Sequence, residues 1–111
     1  MPRLPARARF ELIQAVINAF DNETRQRIMA HLYEAGDKGL RASEVSRLAG
    51  EKPDTTRKAL QILEQALLVQ NQVGRDRGGV FSRYVITQFG SDWFEKMELV
   101  EGKRALPLLL E

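Results

Sequence analysis

One hundred and eleven residues, 43% hydrophobic and 29% charged, suffice for one small globular core and are too few for two. Cysteine is absent, which excludes a disulfide framework and thiolate metal ligation, and no run approaches the roughly 20 consecutive apolar residues that span a bilayer. The formal net charge is only +2, but residues 41–58 and 69–87 each carry an excess of two positive charges, while the segment from Gln88 onward carries an excess of two negative ones.

The basic N-terminus (Arg3, Arg7, Arg9) has no apolar segment behind it, because Glu11, Gln14 and Asn18 interrupt the run. A secretory signal is therefore not expected, and the expected location is the cytoplasm. Phe10, Ile13, Val16, Ile17 and Phe20 recur at steps of three and four, which predicts a helix from about Ala8 to Phe20. Asp21 or Asn22 can cap a second helix, with Glu23 at its dipole-favoured start and Ile28, Met29, Leu32 and Tyr33 as its apolar stripe. Gly36 and Gly39 flank its exit. A short third helix spans about Ala42 to Ala49, with Val45, Leu48 and Ala49 facing inward and Gly50 placed to end it in a left-handed conformation. Pro53 suits the first turn of a fourth helix running to about Leu67, with Leu60, Leu63 and Leu67 at core spacing and Ala59, Ile62 and Ala66 widening the apolar face.

The period then falls towards two. Val69, Asn71 and Val73 alternate with glutamines, and Ser82, Tyr84 and Ile86 alternate with Arg83 and Val85. Between them Gly74-Arg75-Asp76-Arg77-Gly78-Gly79 reads as a glycine-rich turn with a basic tip. Thr87 can cap a last helix carrying Phe89, Trp93, Phe94, Met97 and Val100. The expected class is mainly α with a small β-hairpin, in the order α-α-α-α-β-β-α. It forms a single domain over 1–111 with a core at about 21–97 and terminal helices at 8–20 and 88–101.

Two short helices joined tightly and followed by a hairpin resemble the winged helix-turn-helix, and by pattern the chain is most similar to ArsR-type repressors and their archaeal relatives. The likeness rests on the Thr24-Arg25 pair before Ile28-Met29, on Leu40 to Gly50, on Thr55 to Val69, and on Thr87-Gln88-Phe89-Gly90, a Thr-x-x-Gly helix start. Two departures stand out. Leu67 occupies a place usually held by glycine, where a positive φ would cost a leucine on the order of 1 kcal/mol, so that the helix is expected to run on. Arg41 stands where a serine or threonine cap is common. The metal-sensing members use a cysteine pair, which this chain lacks.

In such a fold the fourth helix enters the major groove and its N-terminal residues reach base edges. The candidates are Lys52, Thr55, Thr56, Arg57, Lys58 and Gln61. Arg57 and Gln61, four apart, project side by side; arginine can bond guanine O6 and N7, and glutamine can bond adenine, each in a bidentate way. Thr55 and Lys58 suit phosphates, which hold register without reading sequence. Arg75 and Arg77 at the hairpin tip suit a neighbouring minor groove. The alternative is that both patches are solvated polar surface. Asp54 and Asp76 inside them would contact cytosine, pair with a nearby arginine, or argue against DNA.

His31 is the only histidine, so neither an ordinary zinc site nor a Ser–His–carboxylate set is expected, and no cofactor or catalytic residue is assigned. The glycines from 74 to 79 lie in a hairpin, not between a strand and a helix, and do not read as a phosphate-binding loop. An enzyme is not expected.

The resemblance implies a homodimer built from the terminal helices, through Phe10, Ile17 and Phe20 at one end and Trp93, Phe94, Met97 and Val100 at the other. Operator half-sites would lie near one helical turn of DNA apart. These residues could equally close the monomer's own core. The leucine-rich segment at 105–110 reads as packing on a partner chain or on its own domain. The expected function is sequence-specific double-stranded DNA binding in transcriptional regulation. A winged-helix protein-interaction module and a replication or partition factor remain as alternatives.

Overall fold

The computed structural model describes residues 6–101, with side chains described through Met97. Val100 therefore lies outside the described side chains, and Arg3 and the 105–110 segment lie outside the described residues. The elements follow the expected order: α1 (Ala6–Phe20), α2 (Glu23–Ala35), a single 3-10 turn (Gly36–Lys38), α3 (Ala42–Ala49), α4 (Pro53–Gln65), β1 (Val69–Asp76), β2 (Gly79–Ile86) and α5 (Gln88–Glu101).

The helical body is built around α2. Its start is capped by Asn22, in extended conformation, whose side chain accepts the Arg25 N–H at 3.0 Å. The Thr24-Arg25 pair then ties three elements together. Arg25 donates from Nε to the Ala19 carbonyl (2.5 Å) and from a terminal nitrogen to that of Asn18 (3.1 Å), closing the carbonyl end of α1. Thr24 donates to Glu51 (3.2 Å) in the α3–α4 turn. Ile28, Met29 and Leu32 of α2 are fully buried and meet Val45 of α3, Leu60 and Leu63 of α4, and Leu68 after it.

Both α3 and α4 end in the same hydrogen-bonded turn, and one of the two departs from expectation. After α3, Gly50 is left-handed (φ 67°), its N–H bonds Arg47 O (3.3 Å), and the Glu51 N–H bonds Ser46 O (3.0 Å). After α4, the Leu67 N–H bonds Glu64 O and the Leu68 N–H bonds Leu63 O, each at 3.0 Å, with Leu67 itself at φ 62°. The helix does not run on through Leu67; the leucine accepts the left-handed turn. That turn leaves Leu67 48% exposed and puts Leu68 in the core instead. Leu48 (46%) and Ile62 (38%) are also more exposed than their spacing predicts, because α3 and α4 bury narrower stripes, Val45 and Ala49 on one and Thr56, Ala59, Leu60 and Leu63 on the other. Arg41 supplies no side-chain acceptor to α3, but Glu44 does the reciprocal half of a capping box, accepting the Arg41 N–H at 2.9 Å.

The hairpin is longer and its turn tighter than the glycine run suggests. β1 and β2 pair antiparallel from Val69↔Ile86 to Asp76↔Gly79, around a two-residue turn of Arg77 and Gly78. Asp76 accepts the Gly78 N–H at 2.8 Å, and Gly79 follows at φ 111°. Gly74 is thus a strand residue opposite Phe81, whose ring covers it: a Cβ at Gly74 would lie 2.7 Å from Phe81 Cζ. At its root the hairpin is joined to the body by Leu40, which exchanges two backbone hydrogen bonds with Tyr84 (2.9 and 2.7 Å).

Thr87 closes the other side of the root. Its hydroxyl accepts the Gly90 N–H (2.9 Å) as the cap of α5 and donates to the Leu67 carbonyl (2.7 Å). Gly90 completes the Thr-x-x-Gly motif because the first turn of α5 sits directly on the Leu68 carbonyl, where any Cβ would collide. Further along α5, Phe94 stacks near Tyr33 (centroids 4.9 Å apart) and meets Phe20 edge-on (6.4 Å), as does Trp93 (6.5 Å).

Candidate nucleic-acid interface

One side of α4 is committed to the core, which leaves a continuous polar ridge on the other. At about 100° per residue, Asp54, Lys58, Gln61 and Gln65 fall opposite the Thr56, Leu60 and Leu63 stripe, with Arg57 on one shoulder of the ridge and Thr55 on the other. Lys52, Thr55, Arg57, Lys58 and Gln61 are all exposed, as expected of residues that meet a ligand. Thr56 is not. It lies one turn before Leu60, is 1% exposed, and is removed from the set of contact residues. Its hydroxyl has no hydrogen-bond partner among the described residues.

Arg57 lies 3.6 Å from Asp54, an exposed i, i+3 pair that positions the guanidinium without burying it. Tyr84 of β2 lies within electrostatic reach of Arg57. Its phenol is pushed above the usual tyrosine range by partial burial and then by the Glu64 carboxylate, while the Arg57 guanidinium pulls the other way. Arg75 and Arg77 are exposed at the far end of the hairpin, Arg75 on the strand face that also carries Val73 and Val80, and Arg77 in the turn itself. Both aspartates among these cations have internal uses, Asp54 beside Arg57 and Asp76 on the Gly78 N–H.

A second cationic cluster lies outside the residues that the sequence pattern singles out. Arg41, before α3, and Arg83, on β2, place their guanidinium carbons 5.9 and 5.8 Å from the centre of the Phe81 ring. The legible signal was Gly74 and Phe81 placed symmetrically about Arg77-Gly78, once that pair is taken as the turn.

The proposed dimer residues divide. Phe20 (8% exposed) and Phe94 (3%) are buried in the chain's own core and are removed from the seam, because α1 and α5 close over α2 through them. Trp93 and Met97 are partly buried against that core. Phe10 (62%) and Ile17 (46%) stay exposed, joined by Ile13 (52%) in a stripe along α1. His31 is half-buried, and among the described residues no group of side chains could hold a metal ion. No helix among them is long and apolar enough to cross a membrane.

No family model and no curated protein matches the chain. Solved structures do match its fold. A homodimeric winged helix-turn-helix DNA-binding domain from Mycobacterium bovis, a possible ArsR-family transcriptional regulator, superposes with a TM-score of 0.72 at 19% identity, over 93% of this chain and 92% of that one. MepR of S. aureus, in a complex with DNA, gives a TM-score of 0.65 at 16% identity over 92% and 86%. Reduced HlyU of Vibrio cholerae gives 0.62 at 18% identity over 85% and 93%. The fold of this chain is the winged helix-turn-helix.

Proposed function

We propose that this winged helix-turn-helix chain is a double-stranded DNA-binding transcriptional regulator that acts as a homodimer, with α4 in the major groove and the β1–β2 hairpin at the neighbouring minor groove. The observation that carries this reading is the exposed ridge of α4, where Lys52, Thr55, Arg57, Lys58 and Gln61 surround a helix start that follows the tight α3–α4 turn. Arg57 and Gln61 are residue types that bond base edges in a bidentate way, and Lys52 and Lys58 supply charge for phosphates. Arg75 and Arg77 extend the cationic surface along the hairpin. The structural likeness to MepR, which is seen in complex with DNA, supports the DNA-binding reading. The protein-interaction alternative drew on the low net charge and on Asp54 and Asp76, and the two aspartates have local partners, the Arg57 guanidinium and the Gly78 N–H.

The homodimer reading is supported by the apolar stripe of Phe10, Ile13 and Ile17 on α1 and by the homodimeric state of the Mycobacterium bovis domain. The decisive test of DNA binding is a salt series with labelled random-sequence duplex, comparing the wild type with the Arg57→Ala/Lys58→Ala double variant. A log–log slope of several units is expected, smaller by about one to two in the variant. Absence of binding at low salt by the folded protein would overturn the proposal.

A further inference from the structure

We infer that Arg41 of the α3 start and Arg83 of the wing form, around Phe81, a second backbone clamp that holds a DNA phosphate between the helix-turn-helix and the hairpin. The inference rests on the DNA-binding reading above. It concerns residues outside the α4 ridge and the hairpin tip.

The two guanidinium groups belong to elements far apart in sequence and converge on one aromatic ring, Arg41 at 5.9 Å and Arg83 at 5.8 Å from its centre. Neither arginine forms a salt bridge among the described residues; the ion pairs there are Arg7–Glu11, Arg27–Glu23 and Arg57–Asp54. Arg83 Nε is buried and has no hydrogen-bond partner among the described residues. Arg41 and Arg77 also line one open cleft with Phe81, Val80, Gly78 and Asp76. The single carboxylate in that cleft already accepts the Gly78 N–H, so a surplus of positive charge faces the opening.

Two like charges gathered at one site are unfavourable unless something of opposite sign arrives. The ring explains how they are held: it attracts both guanidiniums, while their terminal N–H groups stay available to donate away from it. Phe81 lies over Gly74, where a Cβ would come within 2.7 Å of the ring edge unless the ring moved aside. A tetrahedral phosphate offers acceptors in several directions and suits two planar donors that approach from different elements. Within a duplex-binding winged helix, the anion presented there is the sugar-phosphate backbone beside the groove entered by α4. Phe81 is a positioning residue in this arrangement, and Arg41 and Arg83 make the contact.

The test is the same duplex salt series with Arg41→Gln, Arg83→Gln, Phe81→Leu and Phe81→Tyr, with Lys96→Gln on α5 as a control for net charge, and with folding checked by circular dichroism. Each arginine variant is expected to lower the log–log slope by about one, the value for a single lost phosphate contact, and to weaken binding several-fold at moderate salt. Lys96→Gln leaves the slope unchanged. Phe81→Leu behaves like the arginine variants, and Phe81→Tyr, which keeps the ring, behaves like the wild type. Should Phe81→Leu fail to fold, the two arginine variants and Phe81→Tyr still decide. A steep wild-type slope that Arg41→Gln and Arg83→Gln leave intact would overturn the clamp while leaving the DNA reading in place. A wild type that binds no duplex would overturn both.

Discussion

Leu67 holds a backbone conformation that its side chain opposes. At φ 62° it occupies the position that Gly50 fills in the equivalent turn after α3, and a left-handed non-glycine residue costs about 1–2 kcal/mol. The cost is met by the hydrogen bonds that converge there, from the Leu67 and Leu68 N–H groups to α4 and from the Thr87 hydroxyl to the Leu67 carbonyl. Leu67→Gly is therefore expected to stabilise the fold by about 1 kcal/mol in urea unfolding, the gain being trimmed by the added freedom of the unfolded chain. A loss of stability would mean that packing by the half-exposed leucine outweighs its strain. The sequence located this position and its penalty but weighed only the local term. The hydrogen bond from Thr87 comes from twenty residues away, and no local pattern carries it. Thr56 is the opposite case: its place four residues before Leu60 was visible in the periodicity, and the neighbouring polar residues masked it.

At the scale of elements, boundaries set by local chemistry were legible and those set by cross-strand packing were not. Asn22, Gly50, Pro53 and Thr87 each start or stop a helix where the sequence places them, because capping and fixed φ act within one turn. The hairpin turn is narrower than the glycine run implies, since glycines at 74, 78 and 79 permit several registers. Phe81 over Gly74 and the Asp76 side chain on Gly78 select one of them. The junction of β2 with α5 is the most tightly specified of these joints. Gly90→Ala is expected to destabilise the protein by about 1–3 kcal/mol in urea unfolding, as overpacking does when the obstacle is backbone and cannot turn aside. A near-neutral result would show that α5 can lift from the Leu68 carbonyl at little cost.

For the whole molecule, the stripe of Phe10, Ile13 and Ile17 is the apolar surface that the chain's own core leaves uncovered on α1. Burying it against a second copy is the homodimer proposed above. Sedimentation equilibrium is expected to give a dimer for the wild type and a single chain for Ile13→Glu, because an unpaired charge in an apolar seam is costly. A monomeric wild type would overturn that assembly. The terminal helices were legible as candidates for the seam, but their division between core and surface was not, since Phe20, Trp93 and Phe94 come together only once α1 and α5 have closed over α2.

The hairpin leaves the body at the Leu40–Tyr84 bridge, where Asn71 is the partner of Tyr84, and β1 continues from there to Asp76. At the ordinary strand rise of about 3.4 Å per residue this is an overhang of roughly 17 Å. A tilt of about 5° at the root moves the tip by roughly 1.5 Å, more than the ~0.5 Å spread of hydrogen-bond lengths. The strands thus act as a lever: their length fixes how far Arg75 and Arg77 reach, and the two backbone hydrogen bonds at the fulcrum, with Arg41 against Phe81 farther out, fix where they point.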